Sequence, residues 1–171
     1  MEFKTFETER LILRPTQIED ADFIFELMTM PKWIRFIGDR GIKNTKDAEQ
    51  YIEERMLPQL HKLGFGNYTV IRKSDHEKLG TSGLYDREGL EGLDIGFAFL
   101  ERFEGQGYAY ESSKVLVDYT FNSLNYKLIK GITDKENKSS QRLLEKLGLN
   151  FHKFVVLPDE TEEVMLFQKE I

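Results

Sequence analysis

The chain has 171 residues, 40% of them hydrophobic and 32% charged, with a net charge of −6; this is the composition of a soluble globule long enough to bury a core without covalent staples. It contains no cysteine, which excludes thiol nucleophiles, disulfides and thiolate metal sites. The acidic balance argues against nucleic acid as a partner. No apolar run approaches the roughly 18 residues of a membrane span, and the opening "MEFKTFETER" is charged rather than signal-like, so a cytoplasmic protein is expected.

No repeat, low-complexity tract or linker interrupts residues 1–171, which are read as a single domain. "RLILRP" (10–15) predicts a first strand. Thr16-Gln17-Ile18-Glu19 has capping-box spacing and opens a helix carrying Phe23, Ile24, Leu27 and Met28, which Pro31 ends. A short aromatic stretch, Trp33 to Ile37, follows. A second helix starts near Asn44 or Thr45 with Ala48, Ile52, Met56 and Leu60 on one face, and Pro58 should kink or end it.

Three strands come next, "NYTVIR" (67–72), "KLGTSGLYD" (78–86) and "LDIGFAFL" (93–100). Gly96 stands inside the third, which marks a bulge or a close backbone approach. After Gly105 and Gly107, the i, i+3, i+4, i+7 recurrence of Ser112, Val115, Leu116 and Tyr119 predicts an amphipathic helix. "KLIKGIT" (127–133) is a strand, and "NKSSQRLLEKLG" (137–148) a helix capped by Asn137 and stopped by Gly148. "FHKFVVL" and "EVMLFQ" make a final hairpin. The order gives an α+β architecture, a mixed sheet with helices on its faces.

The stretch "RFEGQGYAYE" (102–111) puts a Gly-x-Gly turn between a strand and a helix start. Glycine permits positive φ and close ligand approach, and the unpaired amides of a first helical turn attract anions. A purely structural turn explains the same letters. No Lys-Ser/Thr follows as in a P-loop, and Tyr110 stands where a dinucleotide fingerprint needs its third glycine.

Taken in order, "FETERLILRPTQIEDADFIFEL", "LDIGFAFLERFEGQGYAYES", "NKSSQRLLEKLGLNF" and the terminal hairpin resemble the GNAT-type N-acetyltransferases, of the ribosomal-protein (RimJ/RimL) type. The resemblance implies a central, mostly antiparallel twisted sheet of about six to seven strands with about four helices. It also implies acetyl-CoA as cosubstrate, an amine as acceptor, no metal, and a monomer or homodimer. The family's Gln/Arg-x-x-Gly-x-Gly/Ala signature fits in two registers, Arg102-x-x-Gly105-x-Gly107 and Glu104-x-x-Gly107-x-Ala109. The second matches the helix start better and leaves Glu104 where Gln or Arg is usual. A carboxylate beside a pyrophosphate is unfavourable, so Glu104 is expected to face solvent. By the same resemblance, Gly105, Gln106, Gly107, Tyr108, Ala109 and Tyr110 hold the pyrophosphate. The strand edge from Phe97 to Phe99 pairs with the pantetheine amides, Asn137 bonds the pantetheine arm, and Ser140 sits near the sulfur.

Without cysteine an acetyl-cysteine intermediate cannot form, so an amine is expected to attack the thioester directly, in a ternary complex. The family's acid, a tyrosine, is replaced by Leu144, and Ser140 is the substitute; alternatively Ser140 only satisfies a helix amide. By analogy with the family Asp94 and Glu163 are the candidate bases, though each reads more readily as an ordinary exposed or paired carboxylate, and a water chain could deprotonate the acceptor without either. His61, His76 and His152 lack ligand spacing. Trp33 and Phe36 read as core or as the border of the acceptor groove, and "DETEE" (159–163) as a hairpin tip that could attract a cation. The alternative functions are a catalytically idle acetyl-CoA-binding module and an interaction protein with a structural Gly turn.

Overall fold

Eight strands form one sheet in the computed structural model, which describes residues 2–171, in the order β1-β2-β3-β4-β5-β6-β8-β7. They are β1 (Phe6–Glu7), β2 (Leu11–Pro15), β3 (Asn67–Arg72), β4 (Lys78–Tyr85), β5 (Leu93–Phe99), β6 (Leu128–Thr133), β7 (Asn150–Val156) and β8 (Glu163–Glu170). All neighbours are antiparallel except β5 and β6. The six or seven strands expected become eight because the two-residue β1 is too short to leave an alternating pattern.

The helices are α1 (Ala21–Met28), α2 (Pro31–Phe36), α3 (Thr45–Tyr51), α4 (Leu57–Leu63), α5 (Tyr108–Asn122) and α6 (Lys138–Lys146). A π-turn over Ile52–Met56 joins α3 and α4, so the described residues form five helical bodies rather than about four. Pro58 does not end the second helix. The wide turn, in which Leu57 N–H reaches back to Ile52 O, precedes the proline, which then sits in the first turn of α4, where no N–H is needed.

Two further expectations are corrected. The cap of the first helix is shifted by one residue: the Asp20 carboxylate accepts from Gln17 N–H at 2.9 Å, while Thr16 turns inward to Thr69. Pro31 also opens α2 as well as following α1. Asn44 caps α3 by accepting from Asp47 N–H.

The core lies between the sheet and its helices. Leu11 and Leu13 of β2, Ile24 and Leu27 of α1, and Leu116 and Val117 of α5 are all fully buried. All but Val117 come from an apolar period legible in the sequence. The final hairpin, by contrast, leaves Phe151 and Phe154 exposed on β7.

Candidate active site

β5 and β6 run parallel but pair only at Leu93↔Ile129 and Asp94↔Lys130. Beyond that point Ile95–Phe99 bonds to β4 alone, and Gly131–Thr133 to β8 alone. Two sheet edges therefore diverge in the middle of the molecule. The fork opens into a cleft of about 1830 Å³, larger than a small-molecule pocket and suited to an elongated ligand meeting a second substrate. β5 keeps unbroken register with β4 through Gly96↔Gly83, so the bulge suggested for Gly96 is absent. Close approach is the reason for this glycine: a Cβ there would lie 2.7 Å from the Tyr85 ring.

At the wide end stands the glycine turn. Gly105 and Gly107 have φ of +74° and +84°, a region closed to most side chains. Gly107 is the residue before the first turn of α5, in agreement with the second signature register. The amides of Tyr108, Ala109 and Tyr110 donate to no acceptor among the described residues, so they are free for an anion, with the dipole of a 15-residue helix behind them. Arg10 clamps the turn from the β1–β2 connection. Its guanidinium donates to Gln106 O at 3.0 Å, pairs with Glu111 at 2.7 Å and covers the Tyr108 ring at 4.3 Å. Burial opposes ionisation of Glu111, but bonds from Thr8 and Arg10 hold its carboxyl below the ordinary range.

Phe97, Phe99, Gly105, Gly107, Tyr108, Ala109, Tyr110, Asn137 and Ser140, all expected in the site, line this one cleft. Gln106 does not line it; its side chain turns back to Arg102 O. Asn137 Oδ1 accepts from Ser140 N–H at 3.3 Å, leaving its amide nitrogen for a ligand. Asn137, not the Ser140 side chain, therefore satisfies the helix amide, and the Ser140 hydroxyl makes no hydrogen bond among the described residues. Leu144 is core, packed under Gly131.

The candidate bases differ in setting. Asp94 lines the cleft at the vertex of the fork and is 2% exposed. Its Oδ2 accepts from Arg87 Nε at 2.8 Å, while Oδ1 is buried without a partner among the described residues. Burial pushes its carboxyl up to about 6, with Arg87 pulling the other way. Glu163 is exposed, pairs with Lys135 at 3.0 Å and lies outside the cleft lining.

Glu104 does not face solvent alone. It lies on the cleft rim with its carboxylate 2.6 Å from Lys32 of α2. Trp33, one residue on, lines the cleft, and its indole N–H has no partner among the described residues. Lys32, Asn67, Tyr85 and Arg87 were missed in the sequence. The one available signal was Gly83 and Gly96, a glycine pair on adjacent strands that implies a side chain folded across both.

A forked sheet with a free strand edge, and a helix start with free amides at its wide end, leaves room for an elongated anionic ligand. The acetyltransferase (GNAT) domain matches residues 10–150. The sequence is 31% identical over 159 residues to the uncharacterised N-acetyltransferase p20 of Bacillus licheniformis, covering 91% of this chain and 86% of that protein. The fold superposes on a ribosomal-protein-S5-alanine acetyltransferase from Vibrio fischeri with a TM-score of 0.79, at 20% identity and 98% and 96% coverage. It also superposes on RimL, a ribosomal L7/L12 α-N-protein acetyltransferase in complex with coenzyme A, with a TM-score of 0.81 at 15% identity and 98% coverage of both chains. The chain therefore belongs to the GNAT acetyltransferase family and is an acetyl-CoA-dependent acyltransferase.

Proposed function

We propose that the protein moves the acetyl group of acetyl-CoA onto a primary amine by direct attack within a ternary complex. The observation that carries this reading is the placement of Asp94, a buried carboxylate with one unpartnered oxygen, at the vertex of the fork whose wide end holds the free α5 amides. A thioester laid along β5 with its phosphates on the Gly turn would bring its acetyl end toward that vertex.

In this reading the amine nitrogen bonds to the thioester carbon, and the oxygen of the tetrahedral intermediate is stabilised by a backbone N–H between Phe97 and Phe99. Asp94 takes the proton released by the amine. The C–S bond then breaks, and the leaving thiolate takes a proton that the Ser140 hydroxyl relays from water, while Asp94 returns its own proton to solvent, to give CoA and the N-acetylated product. The buried Leu144 has no proton to give, and Ser140, which lines the cleft, is the substitute that the family resemblance implies. Glu163, paired outside the cleft, has no part in the step. Incubation with acetyl-CoA and a panel of peptide N-termini, polyamines, aminoglycosides and small amines, read by thiol release, tests the reading. Acetyl-CoA-dependent release with at least one amine supports it, and no release above hydrolysis with any of them counts against it.

A further inference from the structure

A buried chain of hydrogen bonds runs from the cleft along one face of the sheet, from β4 across β3 to the segment that follows β2. The Tyr85 hydroxyl donates to Asn67 Oδ1 at 2.5 Å, and Asn67 Nδ2 donates to Thr16 Oγ1 at 2.8 Å. Thr16 and Thr69 hydroxyls meet at 2.9 Å, and Thr69 donates to Asp20 Oδ2 at 3.1 Å. Asn67, Thr16, Thr69 and Asp20 are all buried. Asp20 is held by Arg14 at 2.7 and 2.8 Å and by Lys78 at 2.8 Å.

This chain has a fixed polarity. A carboxylate facing two cations stays ionised and can only accept. Thr69 must therefore spend its proton on Asp20, and Thr16 must spend its own on Thr69. Asn67 then presents NH₂ to Thr16 and its carbonyl oxygen to Tyr85, which spends its proton on that oxygen. Every donor points away from the cleft, so the Tyr85 oxygen offers the cleft only lone pairs. The ring is fixed as well: Gly83 and Gly96 lack the Cβ atoms that would lie 2.5 Å from its hydroxyl and 2.7 Å from its Cε2. Its register partner across β4 and β5 is Asp94, whose unpartnered oxygen is also acceptor-only when ionised.

We propose that Tyr85 is an acceptor-binding residue that takes an N–H of the incoming amine, with Asn67, Thr16, Thr69 and Asp20 as positioning residues that keep its proton turned inward. The inference rests on the amine-acetylation reading and adds to it what recognises the amine. Two acceptor-only oxygens, of Tyr85 and Asp94, demand a ligand nitrogen with at least two hydrogens. A primary amine satisfies both, whereas an alcohol leaves one unpaired at a penalty. The same polarity bars Tyr85 from donating to the developing oxyanion.

The test compares wild type, Y85F, T69V and T69S using an amine from the panel that the wild type acetylates. Calorimetry with CoA serves as the check that fold and cofactor site are intact. Y85F should raise KM for the amine about three- to ten-fold with kcat and CoA affinity little changed. T69V should raise the amine KM by a smaller factor, and T69S should restore it. The trimethylammonium analogue of the same amine has no N–H, so as an inhibitor it should bind wild type and Y85F alike. An unchanged amine KM in Y85F, or equal weakening of the amine and its trimethylammonium analogue, overturns the assignment of Tyr85. Failure of the wild type to acetylate any amine would instead remove the reading beneath it.

Discussion

Lys32 of α2 and Glu104 of the glycine turn, 72 positions apart in sequence, meet at 2.6 Å on the rim of the cofactor cleft. The pair accounts for a carboxylate where an acyl-CoA signature usually carries Gln or Arg. Lys32 neutralises it, and in the proposed reading its two remaining ammonium hydrogens are available to a phosphate. Lys146, over the Tyr110 ring at 4.3 Å, adds a second cation on the cleft.

Lys32→Met should therefore weaken CoA binding about five-fold at low salt, a modest figure because both partners are part-exposed and screened. The loss should shrink as salt rises and vanish with acetyl-pantetheine, which lacks the pyrophosphate. Calorimetry with the two ligands measures this; equal losses for both would place Lys32 away from the phosphates.

In the proposed reading Asp94, as the base, sets the pH dependence. Its carboxyl is raised from 3.8 to about 6 by burial, so it is ionised and able to accept a proton only above that value. The kcat/KM for the amine should rise through an apparent pKa near 6, a limb missing from Asp94→Asn, which should also lose on the order of 100-fold or more in rate. The stability effect has the opposite sign. A raised carboxyl favours the fold most while protonated, below about 4, and that contribution is lost as pH rises through 6. The Tm of wild type relative to Asp94→Asn should accordingly fall between pH 4 and pH 7.

Asp20 behaves in reverse. Although burial opposes its ionisation, bonds from Arg14 and Lys78 hold its carboxyl far below the ordinary range. It stabilises the fold above about 4, and that stability drains away as pH falls toward the depressed value. Asp20→Asn should cost about 3 kcal/mol at neutral pH, since it strands two cations beside a buried site. Urea unfolding at pH 7 and pH 3 should show the gap between the two proteins narrowing in acid.

Much of this molecule was legible in its residues, because apolar periods name core faces directly. β3 falls on 67–72 as its residues and flanking turns indicated, and Asn137 caps α6 with Gly148 at its end. Gly105 and Gly107 were legible as a candidate phosphate turn only in company with the flanking strand and helix. Long-range polar partners stayed hidden. Nothing local links Lys32 to Glu104, which the packing of α2 against the glycine turn brings together, or Tyr85 to Asn67 and Thr69, which the sheet register brings together. The fork was hidden for the same reason: it depends on β6 leaving β5 after two pairs.

The central claim is acetyl transfer to an amine by a cofactor seated on the Gly107 turn. Mass spectrometry of the acceptor after incubation with acetyl-CoA tests it most directly, alongside Gly107→Trp, which places a bulky side chain at a backbone of φ +84° beside the free amides. Wild type should place one acetyl group on the amine with matching CoA release, and Gly107→Trp should show neither acetylation nor CoA binding. Tight CoA binding by wild type with every amine left unmodified, or full activity in Gly107→Trp, would contradict it.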